Sequence, residues 1–132
     1  MKKKYSGNCH CGAIRYEADI DLSAGTFKCN CPICSMTRNW AAIVQPDAFQ
    51  LLAGVANLND YQPDEIHHVF CKTCGVRSFA WGDNAAFGGK FYAVRISCLE
   101  PLDVDELMKG PVTYYDGLND NYGASPAEIR HL

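Results

Sequence analysis

The chain has 132 residues, 48% of them hydrophobic and 20% charged, with 15 acidic against 12 basic side chains. This length suits one domain over residues 1–132 that buries roughly two-thirds of its unfolded surface, so an ordinary core is available. A formal charge of −3 gives no electrostatic footprint for DNA or RNA, and no run approaches the roughly 18 apolar residues of a membrane-spanning helix. After Met1-Lys2-Lys3-Lys4 the chain continues with polar Tyr5-Ser6-Gly7-Asn8 instead of the apolar stretch of a signal peptide. A reducing, cytoplasmic setting is therefore expected, with no membrane or nucleic-acid partner.

In chain order, the first clear element is Ala13–Ile20. Its alternation predicts a strand with Ile14, Tyr16, Ala18 and Ile20 on one face and Arg15, Glu17 and Asp19 on the other. Thr26–Asn30 and Trp40–Gln45 read as strands around a short helical turn at Pro32–Arg38. Gln50–Ala53, Asn57–Tyr61 and Ile66–Cys71 read as three short strands separated by glycine and proline signals. Val76–Trp81 and Phe91–Cys98 are apolar and rich in β-branched and aromatic residues, which predicts central strands. One helix is predicted, over Pro101–Lys109. It has proline at its start, Asp103, Asp105 and Glu106 early, Lys109 late and Gly110 just beyond. Val104, Leu107 and Met108 form its apolar stripe. The tail after Gly110 is rich in turn residues and reads as a packed terminal loop or a lid. The expected class is mainly β with one short helix near 101–109.

Seven of the eight cysteines form three clusters: Cys9-His10-Cys11, Cys29-Asn30-Cys31-Pro32-Ile33-Cys34 and Cys71-Lys72-Thr73-Cys74. In a reducing compartment such spacing reads as metal ligation; cross-paired disulfides are the alternative in a secreted protein. Cys9/Cys11 and Cys71/Cys74 are two-ligand units, and two of them complete a tetrahedral zinc shell. Gly12 and Gly75 follow the second cysteine of each pair, where a knuckle turn calls for positive φ. Such a zinc would staple the first strands to the middle of the chain.

Cys29, Cys31 and Cys34 are three ligands within six residues, and they leave one position open. Three thiolates around zinc make a weak Lewis acid, better suited to holding a fourth thiolate than to polarising water. That chemistry points to an external thiol attacking a carbon electrophile, with the second zinc the more labile of two per chain. Alternatively Cys98 or one of His10, His67, His68 and His131 closes the shell, and both sites are structural. Cys98, at the end of an apolar strand, reads first as a small buried hydrophobe. His67 and His68 read as a pair alternating across a strand, and Trp40, Trp81, Phe91 and Tyr92 as core.

Gly7–Gly12, Cys29–Cys34 and Phe70–Gly75, in this order and spacing, resemble the glutathione-dependent formaldehyde-activating enzyme family. The region Phe91–Met108 and the stretch Tyr115–Asn121 are also similar. The resemblance implies a mostly β fold of short antiparallel sheets stapled by zinc, like that of a zinc-containing chaperone of small GTPases. It implies structural ligands at Cys9, Cys11, Cys71 and Cys74 and a catalytic zinc on Cys29, Cys31 and Cys34. The implied reaction is a carbon–sulfur lyase reaction that joins glutathione and formaldehyde into S-hydroxymethylglutathione. Arg38, Arg77, Lys90 and Arg95 are candidate partners for the two carboxylates of such a peptide thiol. After Cys34 many members carry a basic, glycine-containing run, where this chain has Ser35-Met36-Thr37-Arg38-Asn39-Trp40.

Two other classes compete with the enzyme. One is a non-enzymatic zinc module that binds a protein partner. The other is a redox enzyme of methionine-sulfoxide-reductase type with Cys98 as nucleophile.

Overall fold

The computed structural model describes all residues, Met1–Leu132. In chain order the strands are β1 (Lys3–Asn8), β2 (Arg15–Ile20), β3 (Thr26–Cys29), β4 (Trp40–Val44), β5 (Phe49–Ala53) and β6 (Leu58–Tyr61). They continue with β7 (Ile66–Cys71), β8 (Phe79–Asn84), β9 (Gly89–Arg95), β10 (Leu99–Glu100) and β11 (Val112–Tyr115). Two short helices, α1 (Pro32–Thr37) and α2 (Val104–Lys109), complete the fold. The protein is mainly β, as expected. One sheet has the order β10-β1-β2-β5 and the other β11-β3-β4-β9-β8-β7-β6. All pairings are antiparallel except β11 on β3.

The face of β2 legible in the sequence is the face that packs. Ile14, Tyr16, Ala18 and Ile20 are all buried, and they meet Ala42, Val44, Val69, Phe79 and Val94 of the larger sheet in one apolar cluster. Tyr16 sits at its centre. Its hydroxyl donates to the Ser78 carbonyl at 2.9 Å, so the buried polar tip is satisfied. Its ring stacks on Phe49 with centroids 5.0 Å apart. A Cβ on Gly7, in the neighbouring strand, would overlap that ring, which is why β1 carries no side chain there.

Alternation gives the larger sheet two different faces. Val44, Phe79, Tyr92 and Val94 turn toward the smaller sheet. Phe27, Ile43, Ala80, Phe91 and Ala93 turn the other way and floor a cleft. The small sheet thus supplies the core, and the large sheet supplies both core and cleft.

Several elements differ from expectation. The strand predicted at Val76–Trp81 begins at Phe79, because Val76 is used to close the preceding turn through its carbonyl, which accepts from Cys71 N–H. The strand predicted at Phe91–Cys98 ends at Arg95, and Ile96–Cys98 is a 3-10 turn. The predicted helix starts at Val104, capped by the Asp103 carboxylate on the Glu106 N–H at 3.0 Å. Of its expected stripe only Leu107 is buried; Val104 and Met108 face solvent. The helix joins the core through Leu107, and Lys3 Nζ on Asp103 at 2.7 Å ties its N-cap to β1. The tail contains a strand, β11, and the segment after it folds back over the middle cysteines.

Candidate metal centres

The first two cysteine pairs form matching knuckles. In one, Cys9 N–H donates to the Ile14 carbonyl and Gly12 N–H to the Cys9 carbonyl. In the other, Cys71 N–H donates to Val76 and Gly75 N–H to Cys71. Gly12 and Gly75 have φ of +81° and +77° with open space where a Cβ would be, so left-handed backbone alone accounts for both glycines. β1 brings Cys9 and β7 brings Cys71 into the core, where both are buried.

The four sulfurs lie within 4.8 Å of one another. Cys9 Sγ to Cys11 Sγ is 3.7 Å and Cys11 Sγ to Cys71 Sγ is 3.6 Å. A regular tetrahedron with zinc–sulfur bonds of about 2.3 Å has sulfur–sulfur edges of about 3.8 Å. The donor set therefore fits zinc in both chemistry and spacing. Donors already surround the sulfurs: Ile14 N–H on Cys9 at 3.3 Å and the Asn57 amide on Cys71 at 3.2 Å. The Cys11 and Val76 N–H groups pull the Cys74 thiol down to about 6, and the Cys74 N–H lowers Cys71, whereas Cys11, in spite of the Ala13 N–H, is pushed up to about 11 by burial and the other three sulfurs.

Cys29, Cys31 and Cys34 also converge, with sulfurs within 4.8 Å. Cys29 ends β3, Cys31 is the N-cap of α1, and Cys34 lies in its first turn behind Pro32. The helix closes at Arg38, which adopts left-handed φ of 49° and donates its N–H to the Cys34 and Ser35 carbonyls. Neither Cys98 nor any histidine joins this group. Three thiolates suit the zinc donor set, with one position left to an external ligand.

The three-sulfur group opens on the cleft, which has a volume of about 830 Å³. Hydrogen bonds from Cys31 and Cys34, followed by the Cys31 and Gly117 N–H groups, hold the Cys29 thiol well below its usual range. Cationic side chains border Cys34. Asn39 places its amide 4.0 Å from Cys34 Sγ and accepts from Arg95 Nη2 at 3.4 Å. Arg77 lines the cleft and donates to His68 Nδ1 rather than to a carboxylate. Burial lowers the pKa of both arginines, helped at Arg77 by the Arg95 charge and opposed at Arg95 first by Cys98 and then by Cys34.

The other candidates are dispersed. Arg38 is exposed beyond α1, and Lys90 lies over the rings of Trp81 and Tyr92 on the opposite face. His67 stacks on Trp81 and faces Asp60, while His68 points into the cleft, so the pair alternates as predicted. Trp40, Trp81 and Tyr92 pack against the core, whereas buried Phe91 belongs to the cleft. Cys98 is half-buried, and burial pushes its thiol up, as for a packed hydrophobe.

Asn30 and Gly117 escaped sequence reasoning. Asn30 donates to Asp116 Oδ1 at 2.8 Å and accepts from Leu118 N–H at 2.9 Å, which ties the tail to the cysteine loop. The turn signal Asp116-Gly117 was visible, but nothing local connects it to residue 30.

Two knuckles closing one four-sulfur group, with a three-sulfur group facing a cleft, define a two-sheet protein whose cysteine clusters are compatible with zinc binding. The family described as glutathione-dependent formaldehyde-activating enzyme matches residues 4–114, and the chain belongs to that family. Among solved structures, a Rhodobacter sphaeroides protein is similar at 28% identity and a TM-score of 0.67, over 82% of this chain and 99% of that one.

Proposed function

We propose that this chain binds two zinc ions and joins a thiol, glutathione, to formaldehyde, as an S-hydroxymethylglutathione synthase of the carbon–sulfur lyase class. The observation that carries the reading is the convergence of three sulfurs, without a fourth protein ligand, at the wall of a cleft. Cys9, Cys11, Cys71 and Cys74 hold the structural ion. Zinc on Cys29, Cys31 and Cys34 would supply the charge that keeps an external thiol ionised at neutral pH.

The chain's own groups position the reactants. Arg77 lines the cleft with Cys34, Arg95 reaches Cys34 through Asn39, and neither has a carboxylate partner; Arg77 can receive a glutathione carboxylate in the two-pronged manner of a guanidinium. In the reaction the thiolate sulfur attacks the carbonyl carbon, a carbon–sulfur bond forms, and the carbonyl π pair moves to oxygen. That oxygen then takes a proton, so the sum is thiol plus aldehyde with no redox change. Tyr122, whose hydroxyl and the Cys29 sulfur both border the Gly117 backbone, offers a proton at that edge.

The test is exchange NMR on glutathione and formaldehyde at equilibrium. Zinc-loaded protein should speed interconversion of glutathione and its hydroxymethyl adduct above the spontaneous rate, and Cys31→Ser should not. Equal exchange rates with the two proteins reject the reading.

A further inference from the structure

The cleft is larger and more apolar than one-carbon chemistry requires. Its floor is built in rows by the strand register. Ile43 pairs with Ala93 and Ala93 with Ala80, and the register that sets His67 opposite Trp81 brings His68 beside Ala80. The two alanines leave a trough between the bulkier Ile43 and His68. The next row is Phe91, Gly82 and Ile66, walled by Phe87, whose ring is 4.6 Å from that of Phe91.

Charge is distributed along the same axis. Arg95, Asn39 and Cys34 mark one end. From the level of Arg95 to that of Phe91 is four residues of β9, about 13 Å of apolar floor. Beyond it, Asp64 and Glu65 stand on the rim. An anionic group at that far end of the electrophile is repelled by the two carboxylates, and a one-carbon electrophile held at the sulfurs reaches none of the floor beyond Ala93. Burying apolar surface is worth roughly 25 cal/mol per Å², so an uncovered trough wastes binding energy that a longer substrate would recover.

We infer that the electrophile is a neutral aldehyde with an extended apolar body, which lies in the Ala80–Ala93 trough while its carbonyl carbon meets the thiol sulfur beside Cys29, Cys31 and Cys34. The inference rests on the thiol-binding reading above and extends its second substrate from formaldehyde to longer, apolar aldehydes. The product is a hemithioacetal. One carbon–sulfur bond forms, the carbonyl π pair becomes an alkoxide, and the proton released by the thiol ends on that oxygen. Ala80 and Ala93 determine specificity by their smallness.

Calorimetry on the zinc-loaded chain with S-methylglutathione and S-hexylglutathione tests this without turnover, since both thioethers are inert. The hexyl ligand should bind at least tenfold more tightly. Ala93→Phe, or Ala80→Leu on the adjacent strand, should bring the two ligands within twofold of each other, with melting temperatures confirming that the variants fold. The wild-type comparison decides by itself: equal affinity of the two ligands overturns the apolar trough. Exchange NMR then separates the two readings. Acceleration with formaldehyde but none with hexanal removes the inference and leaves the proposed function standing. No acceleration with either aldehyde removes both.

Discussion

Gly117 lies so close to Cys29 that a Cβ at position 117 would stand 2.6 Å from the Cys29 sulfur and 3.1 Å from the Cys31 Cβ. The chain passes over the three-sulfur group at this point and gives Cys29 a backbone N–H. Gly117 is therefore required by close approach, not by left-handed backbone. Gly117→Ala should displace the Cys29 sulfur and weaken metal binding at this group alone. Metal analysis should fall from two zinc ions toward one, with the melting temperature little changed. Two retained zinc ions would show that the tail is not part of the site.

Asn30 holds the same tail through Asp116 and the Leu118 N–H. Asn30→Ala leaves both partners without their bond, at a cost of about 1–3 kcal/mol. Thermal melts should register that loss, and the three-cysteine zinc should exchange faster than in the parent protein. An unchanged exchange rate would separate tail docking from metal retention.

The two cysteine groups should respond differently to mutation. Cys9 and Cys71 are fully buried within the apolar cluster, and zinc-finger sites release about 10–16 kcal/mol on binding, comparable to the whole stability of a domain. Cys9→Ser or Cys71→Ser should unfold or aggregate the chain, while Cys31→Ser keeps its fold. Far-UV circular dichroism and melts of the three variants check this. Equal damage from all three would make both groups structural and favour a non-enzymatic module. Stepwise chelation probes the same asymmetry: the three-cysteine zinc should leave first, because its open position admits the chelator, and simultaneous release would contradict that order.

His68 supplies a pH dependence. Burial, and then the nearby Arg77 charge, lower its pKa from 6.5. The unfolded chain thus binds this proton more readily than the folded one. The contribution of His68 to stability is complete above about pH 6.5 and declines as pH falls below that value. His68→Gln should flatten this part of a melting-temperature profile relative to the parent. Parallel profiles would show that His68 titrates normally.

Legibility in the sequence followed the range of the interactions. The buried face of β2, the helical turn after Cys31 and the positive φ of Gly12 and Gly75 are local, and each was readable from periodicity or turn chemistry. β11 was not. Its Val112-Thr113-Tyr114-Tyr115 run has strand composition, but turn residues surround it, and its partner β3 lies in the first quarter of the chain. The gathering of Gly117 over Cys29, and of Arg77 and Arg95 beside Cys34, arises from that distant pairing and from the cleft face of the large sheet. Arg38 and Lys90 carried the same charge in the sequence, yet strand alternation and the end of α1 turn them away. The paired alanines at positions 80 and 93 left no signal, since a trough is made by missing side-chain volume.

Cys29, Cys31 and Cys34 are proposed to hold a metal that accepts an external thiol. Cobalt substitution followed by titration with glutathione tests it most directly, because a fourth sulfur alters the sulfur-to-cobalt charge-transfer bands. The visible spectrum of the parent chain should change on addition of glutathione, and that of Cys31→Ser should not. A parent spectrum unmoved by saturating glutathione would contradict an open thiol-accepting site.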